Sequence, residues 1–299
     1  MIKQLSIIIP CLNEEENVQN LISEINKSLS NVEIEFEIIL VDDFSKNKLI
    51  DFVQIENNIQ IIRNNKNMGQ SQSIRNGLIK AKYGYVCTLD GDGQNPPSEI
   101  IKLINELNLN FHEVDAVVGY RYKRKDKFTK KIVSKIANFI IRKLTKTNFK
   151  DIGCSLKIFK REDADAFIFS GDIHRIFNIL LSKKGLNVRE IAVEHLPRIK
   201  GKSNYSLSRT LPVLIDSLLI LITNGFQKSS RYVLGRISVF FFSVSLIFLL
   251  TAVYQKYTIG RYIFENPLFL IFLVSLFTSI QLFISIIITF YLENAQKDK

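Results

Sequence analysis

The sequence predicts an α/β domain with a mostly parallel sheet, followed by an interfacial helix and two C-terminal transmembrane helices. Three observations predict it. Over residues 1–200, short apolar runs alternate with helical patterns, as in strands joined by crossover helices. Several of those runs end on carboxylates. Beyond about residue 230, charge nearly vanishes for two long stretches.

The elements follow in order. "LSIIIP" (5–10) is an apolar run closed by proline, the pattern of a buried strand. Asn13 is placed to cap the helix after it, "EEENVQNLISEINKSL". There Val18, Leu21, Ile22 and Ile25 recur at helical spacing and acids crowd the first turn. "FEIILVDD" (36–43) and "IQIIRN" (59–64) are the second and third strands. "GQSQSIRNGLIKAK" (69–82) reads as a helix opened by Gly69. "YVCTLD" (85–90) is the fourth strand, "PSEIIKLINELN" (97–108) the helix after it, and "DAVVGY" (115–120) the fifth strand. "FTKKIVSKIANFIIRKLTKT" (128–147) is amphipathic and basic, with Ile132, Ile136, Phe139, Ile140 and Leu144 on one face. A helix is expected over 172–184 and a strand over 187–194. "LSRTLPVLIDSLLILITNGF" (207–226) is apolar but broken by Arg209, Pro212 and Asp216, which suits a helix lying in a membrane interface. The stretches 237–254 and 267–292 carry no charge and no polar face, so both read as spans. The expected division is 1–206, a soluble domain; 207–230, an interfacial helix; and 231–299, a membrane domain with helices at about 235–256 and 267–292.

Charge and cysteine usage narrow the setting. The net charge of +11 calls for an anionic partner, and a chain tethered to a bilayer meets anionic head groups by default. Nucleic acid is disfavoured, because the basic clusters "RYKRKDKFTKK" and "PRIKGKSNYSLSR" lack interleaved recognition aromatics. Cys11, Cys87 and Cys154 are odd in number and far apart, which fits a reducing compartment and gives no zinc spacing. The start does not read as a signal peptide, since Lys3 precedes only a short apolar run. Lys228, Arg231 and Arg236 before the first span, and Lys297 and Lys299 after the second, place both ends in the cytoplasm by the positive-inside count. The expected location is the inner (cell) membrane, multi-pass, with the soluble domain cytoplasmic.

The chemistry concentrates in carboxylates. Asp42, Asp43, Asp90 and Asp92 all fall at expected strand ends, where open α/β sheets bind ligands. Four acids on one crevice repel one another unless a cation or a donor-rich ligand fills it. "TLDGDGQNPP" alone allows three readings: an Asp and Gly turn, paired carboxylates for acid/base work, or a site for a hard divalent cation.

"SIIIPCLNEEENV", "ILVDDFS", "NKNMGQSQSIRNGL" and "LDGDGQNPP", in this order, resemble the inverting nucleotide-sugar glycosyltransferases of the GT-A fold, which is Rossmann-like. "DIGCSLKIFKRED", "GDIHRIF" and "HLPRIKGKSNY" resemble the polyprenyl-phosphate branch, dolichyl-phosphate mannose synthase and bacterial undecaprenyl-phosphate sugar transferases among them. The resemblance covers roughly residues 4–210, and bacterial members carry two C-terminal spans. It implies transfer of a sugar from a UDP- or GDP-sugar to undecaprenyl or dolichyl phosphate for cell-envelope glycan modification. It implies that Pro10, Leu12, Glu14, Asp42 and Asp43 bind the nucleotide, with Asn67 and Gly69 shaping an adjacent loop. Asp90 and Asp92 would hold Mg²⁺ or Mn²⁺, with Gln94 nearby. Arg121, Lys130, Ser134, Arg175, Arg198 and Ser203 would surround the acceptor phosphate. Lys130 stands where an Arg is usual and Asn204 where a Lys is frequent; a lysine cannot clamp phosphate bidentately. Asp151 is either near the acceptor or a strand cap, and His174 reads as structural. Competing readings are a saccharide acceptor and a non-catalytic lipid-binding scaffold. The chain has no Trp, which argues against the processive synthases and their Gln-x-x-Arg-Trp motif. The sugar and the nucleotide do not decode from the sequence, and a homo-oligomer is left open.

Overall fold

The computed structural model describes residues 1–122, 138–139, 141–143, 145, 147–165, 173–197 and 230–297. The chain divides into two compact units, Met1–Gly225 and Phe226–Lys299.

The first unit is a seven-stranded sheet flanked by helices. Its elements are β1 (Gln4–Cys11), α1 (Glu15–Leu29), β2 (Glu35–Asp42), β3 (Ile59–Arg63), α2 (Gln70–Lys80), β4 (Tyr85–Thr88), α3 (Ser98–Leu109) and β5 (Ala116–Arg121). β6 (Lys157–Lys160), α4 (Arg161–Asp165), α5 (Ile173–Lys183) and β7 (Val188–Val193) complete it. The strand order is β3-β2-β1-β4-β6-β5-β7. β1 pairs in parallel with β2 and β4, β2 with β3, and β5 with β7. β6 runs antiparallel between β4 and β5, with Lys157 opposite Thr88.

The run Ile7–Ile8–Ile9 shows why the apolar segments become strands. Ile7 and Ile9 belong to a core with Val18, Leu21, Ile22 and Ile25 of α1 and with Ile100, Leu103 and Ile104 of α3. Ile8 points to the other face, into a core with Ile74 and Leu78 of α2 and Ile176 and Leu180 of α5. A strand covered on both sides needs no polar alternation. Each such side chain contributes roughly 1.5–3 kcal/mol by leaving water.

Two expectations change. Asn13 is not the cap of α1: the helix is preceded by Glu14, which makes no side-chain capping bond. Asn13 instead adopts φ 55 and ties the loop after β1 to the loop after β2, accepting from Lys46 N at 2.9 Å and donating its own N–H to Ser45 Oγ at 2.9 Å. The structure also adds β6 and α4, which the sequence pattern does not announce. The basic segment 128–147 lies largely outside the described residues, and the segment 207–226 wholly so.

The second unit is a hairpin of α6 (Ser230–Ile259) and α7 (Pro267–Lys297). It holds two helices long and apolar enough to cross a membrane, Leu234–Ile259 and Pro267–Ile288. Only 17% and 11% of their most apolar windows is buried, so they are not core helices of this unit. Between them, Ser238 Oγ donates to the Ser279 carbonyl at 3.0 Å and Ser279 Oγ to the Ser238 carbonyl at 2.9 Å.

Candidate active site

The carboxyl edge of the sheet brings the acids together around the end of β1. The Cys11 thiol there is pushed well above its usual pKa, first by burial and then by the negative charges of Glu14, Asp42, Asp90 and Asp92. All three cysteines are buried, and burial raises each thiol, Cys154 to about 11. Since the thiolate is the nucleophile, native protein treated with iodoacetamide at pH 8 is expected to stay unlabelled at Cys11, Cys87 and Cys154. Intact mass before and after denaturation checks this.

Asp90 and Asp92 sit in the loop leaving β4. Asp90 is half-buried, and burial raises its carboxyl above the usual range; the neighbouring charge of Asp92 adds to the shift. Ser155, Arg121 and Lys157 pull the other way. Gln70 Nε2, at the start of α2, donates to Asp90 Oδ1 at 2.8 Å. Gly91 between the two acids lets the loop lie on β1, since a Cβ there would meet Cys11 Sγ at 2.9 Å. Gln94 donates its backbone N–H to Asp92 Oδ1 at 3.1 Å, but its side chain turns away and donates to the Leu196 carbonyl at 3.3 Å. Its own carbonyl accepts from Leu196 N at 2.8 Å.

These residues fit a hard divalent cation. Among the described residues no three His, Cys, Asp or Glu side chains gather as a complete metal site. Asp90 and Asp92 could supply two oxygen ligands and leave the remaining positions to water and ligand oxygens, as Mg²⁺ and Mn²⁺ prefer. A positive ion would also relieve the like-charge pressure on Asp90.

On one side of this loop lie the residues expected to meet a nucleotide. Pro10 and Leu12 are half-buried, and Glu14 is buried and accepts from Asn17 Nδ2 at 2.8 Å. Asp42 and Asp43 are buried and already hold protein donors. Asp42 accepts from Ser45 N at 2.8 Å and pairs with the Arg63 guanidinium. Asp43 accepts from Asn64 Nδ2 and Met68 N, each at 2.8 Å, and from Gly69 N at 2.9 Å. Both carboxylates therefore shape the loops that frame the cleft. Gly69 has φ 84, a conformation glycine adopts without strain, and Asn67 is exposed.

On the other side, Lys157 is 4% exposed at the start of β6. It lines one cleft with Pro10, Gln70, Asp90, Ser155 and His174. Burial holds its ammonium down to about 8, against the pull of Cys154, Asp90 and Asp151. It donates to the His174 carbonyl at 2.9 Å. His174 Nδ1 shares a 2.7 Å hydrogen bond with Ser71 Oγ, and burial lowers the imidazole well below its usual pKa, so it is neutral. Through Ser71 it links α5 to α2. Arg175, next to it, is half-buried. Arg121 is gripped by both Asp151 oxygens, Nε to Oδ2 at 2.6 Å and Nη2 to Oδ1 at 2.8 Å. Lys130, Ser134, Arg198 and Ser203 lie outside the described residues. Sequence reasoning misses Gln70, Ser155 and Lys157. Only the position of "SLKIF" directly after "DIGC" could have signalled the lysine.

Comparisons with known proteins bear on this site. Residues 6–167 match the family described as Glycosyl transferase family 2. The chain is 29% identical over 287 residues to a dodecaprenyl-phosphate galacturonate synthase of Rhizobium johnstonii, covering 93% of this chain and 84% of the relative. It is 35% identical over 228 residues to an undecaprenyl-phosphate 4-deoxy-4-formamido-L-arabinose transferase of Proteus mirabilis, covering 74% of this chain and 69% of the relative. Among solved structures, glucosyl-3-phosphoglycerate synthase from Mycobacterium tuberculosis, in complex with Mn²⁺, UDP and glucosyl-3-phosphoglycerate, superposes with a TM-score of 0.60 at 14% identity. That match covers 74% of this chain and 80% of that one, and it shows a shared fold.

Proposed function

Because the chain belongs to glycosyl transferase family 2, we propose that it transfers a sugar, with inversion, from a UDP- or GDP-sugar to a polyprenyl phosphate. The observation that carries this reading is a single chain holding Asp90 and Asp92 at the carboxyl edge of the sheet together with two membrane-length apolar helices. The named relatives act on polyprenyl phosphates, and the first is similar over 93% of this chain, a span that takes in apolar helices. The soluble unit works at the cytoplasmic face of the inner membrane, where the basic segment 128–147 and the largely apolar segment 207–226 meet the lipid interface.

Asp90 and Asp92 would hold Mg²⁺ or Mn²⁺, which would supply positive charge to offset the diphosphate leaving group. Pro10, Leu12, Glu14, Asp42, Asp43, Asn67 and Gly69 form the nucleotide side, and Gln70 fixes the Asp90 carboxylate toward the cleft. Gln94 steadies Asp92 through its backbone. Arg121, Lys130, Ser134, Arg175, Arg198 and Ser203 receive the acceptor phosphate. One phosphate oxygen attacks the anomeric carbon, the bond from that carbon to the diphosphate breaks, and the nucleoside diphosphate leaves with the electron pair. A phosphate monoester has a second pKa near 6, so the acceptor is already charged and no protein base is needed. Asp151 serves the site indirectly, by orienting Arg121.

The test is a transfer assay. Purified protein in detergent receives undecaprenyl phosphate, Mn²⁺ or Mg²⁺, and a panel of radiolabelled UDP- and GDP-sugars. Metal-dependent label in the organic phase from one donor is the expected result and names the sugar. Label that moves only to a saccharide, or none from any donor, overturns the reading.

A further inference from the structure

Phe44 follows Asp43 directly beyond β2 and adopts φ 65. A bulky residue in the left-handed region is a genuine outlier, and strain of this kind persists where surrounding structure enforces it, often at ligand sites. The strain does not hide an apolar side chain, because Phe44 is 51% exposed. It sets the ring against a fixed cation. The Arg63 guanidinium carbon lies 5.2 Å from the ring centroid. Arg63 is immobilised in turn by the Asp42 carboxylate and by its Nη2 bond to the Ser45 carbonyl at 2.9 Å. Neighbouring loops pin the turn: Asn13 N donates to Ser45 Oγ, and Met68 N donates to Asp43 Oδ1. Met68 is also an exposed apolar side chain, 43% exposed. A strained aromatic is thus backed by a held guanidinium, while half of its surface stays open. It stands at the ligand-binding edge of the sheet, between the loop after β1 and the loop before α2.

We propose that Phe44, backed by Arg63, is the stacking platform for the nucleobase of the donor. This rests on the nucleotide-sugar reading above and adds to it the residue that captures the base. A flat base needs a π-face. The carboxylates of Asp42 and Asp43 already accept from loop backbone and from the Arg63 and Asn64 side chains, so the aromatic adds to them a flat face that neither carboxylate has. Stacking tolerates any base, and edge contacts then choose among them.

The experiment measures binding, not turnover. Full-length protein in detergent with Mn²⁺ is titrated calorimetrically with UDP, GDP and inorganic pyrophosphate, for wild type, Phe44→Gly and Phe44→Tyr. Phe44→Gly is expected to weaken the preferred nucleotide about tenfold, leave pyrophosphate unchanged and raise the melting temperature, because glycine carries no strain at this φ. Phe44→Tyr is expected to bind like wild type. Unchanged nucleotide affinity in a stabilised Phe44→Gly protein overturns the platform and leaves the donor reading standing. An equal loss for pyrophosphate also overturns it, since the effect would not concern the base. A wild-type protein that binds neither UDP nor GDP more tightly than pyrophosphate removes the donor reading itself, and the platform with it.

Discussion

Asp92→Ala is expected to lower sugar transfer about a thousandfold, equivalent to about 4 kcal/mol of transition-state stabilisation, with little change in fold. The size follows from what the carboxylate does. It is one of only two acids at the end of β4, so on the proposed reading its loss would leave the divalent cation with Asp90 alone. The structural penalty is small: Asp92 is half-buried, and the hydrogen bond it loses from Gln94 N is worth about 1 kcal/mol. Asp92→Asn separates charge from geometry, because its side-chain oxygen can still accept from Gln94. Both variants should be inactive, with melting temperatures within a few degrees of wild type. An active Asn variant would mean that Asp92 only shapes the loop.

Lys157→Met is expected to give a more stable protein that transfers at least about a hundredfold more slowly, because the ammonium lines the cleft with Asp90, where a buried positive charge would stabilise the negative charge developing on a diphosphate leaving group. Burial dominates the lysine's environment and brings its pKa from 10.5 to about 8. At neutral pH that difference is a charge held in the fold at a cost of about 3 kcal/mol. Methionine keeps the length and removes the charge, giving up a hydrogen bond to the His174 carbonyl worth about 1 kcal/mol. The pH dependence has a definite sign. Between about pH 8 and 10.5 the unfolded chain holds a proton that the folded chain has released, so this lysine makes stability rise with pH across that window. Below about pH 8 both forms are protonated and the full penalty applies. The three buried thiols act in the opposite sense in both proteins, so the lysine is read from the difference: the melting-temperature advantage of Lys157→Met over wild type should shrink between pH 8 and 10. A variant that is stabilised but fully active would reduce Lys157 to a packing residue.

The parts legible in the sequence are those fixed by local pattern. Ile7, Ile8 and Ile9 predict a strand because both faces of it are covered. Asp42 and Asp90 stand where apolar runs stop, so the site's edge is readable before any contact is known. Resemblance then supplies the fold and the residues to look for. What it misses depends on partners far along the chain. Asn13 has the side chain of a cap, but its partner is Lys46, 33 residues on. "SLKIF" hides a strand whose direction is set by pairing Lys157 with Thr88, and nothing local says that a lysine will be buried. Gln94 sits beside Asp92 as expected, yet its amide is committed to Leu196, 102 residues away. Asp42 and Asp43 look alike in sequence. Only the structure separates the one that holds Arg63 from the one that holds the Gly69 loop.

The paired serines of the C-terminal hairpin have a consequence for the membrane it can inhabit. Each hydroxyl reaches the other helix's carbonyl at the same level, so a slide of even one residue breaks both bonds. The two helices are therefore fixed in stagger and must lean together. At 1.5 Å per residue, the charge-free part of α6, residues 237–254, reaches about 27 Å, and the 22-residue apolar stretch of α7 reaches about 33 Å. A hydrocarbon layer is about 30 Å thick. One falls just short of it and the other exceeds it, and because neither can shift alone, the hairpin settles the mismatch by tilting as one body or by deforming the lipid around it. A thin bilayer would drive a steeper tilt, so lipid chain length becomes a mechanical input to this protein.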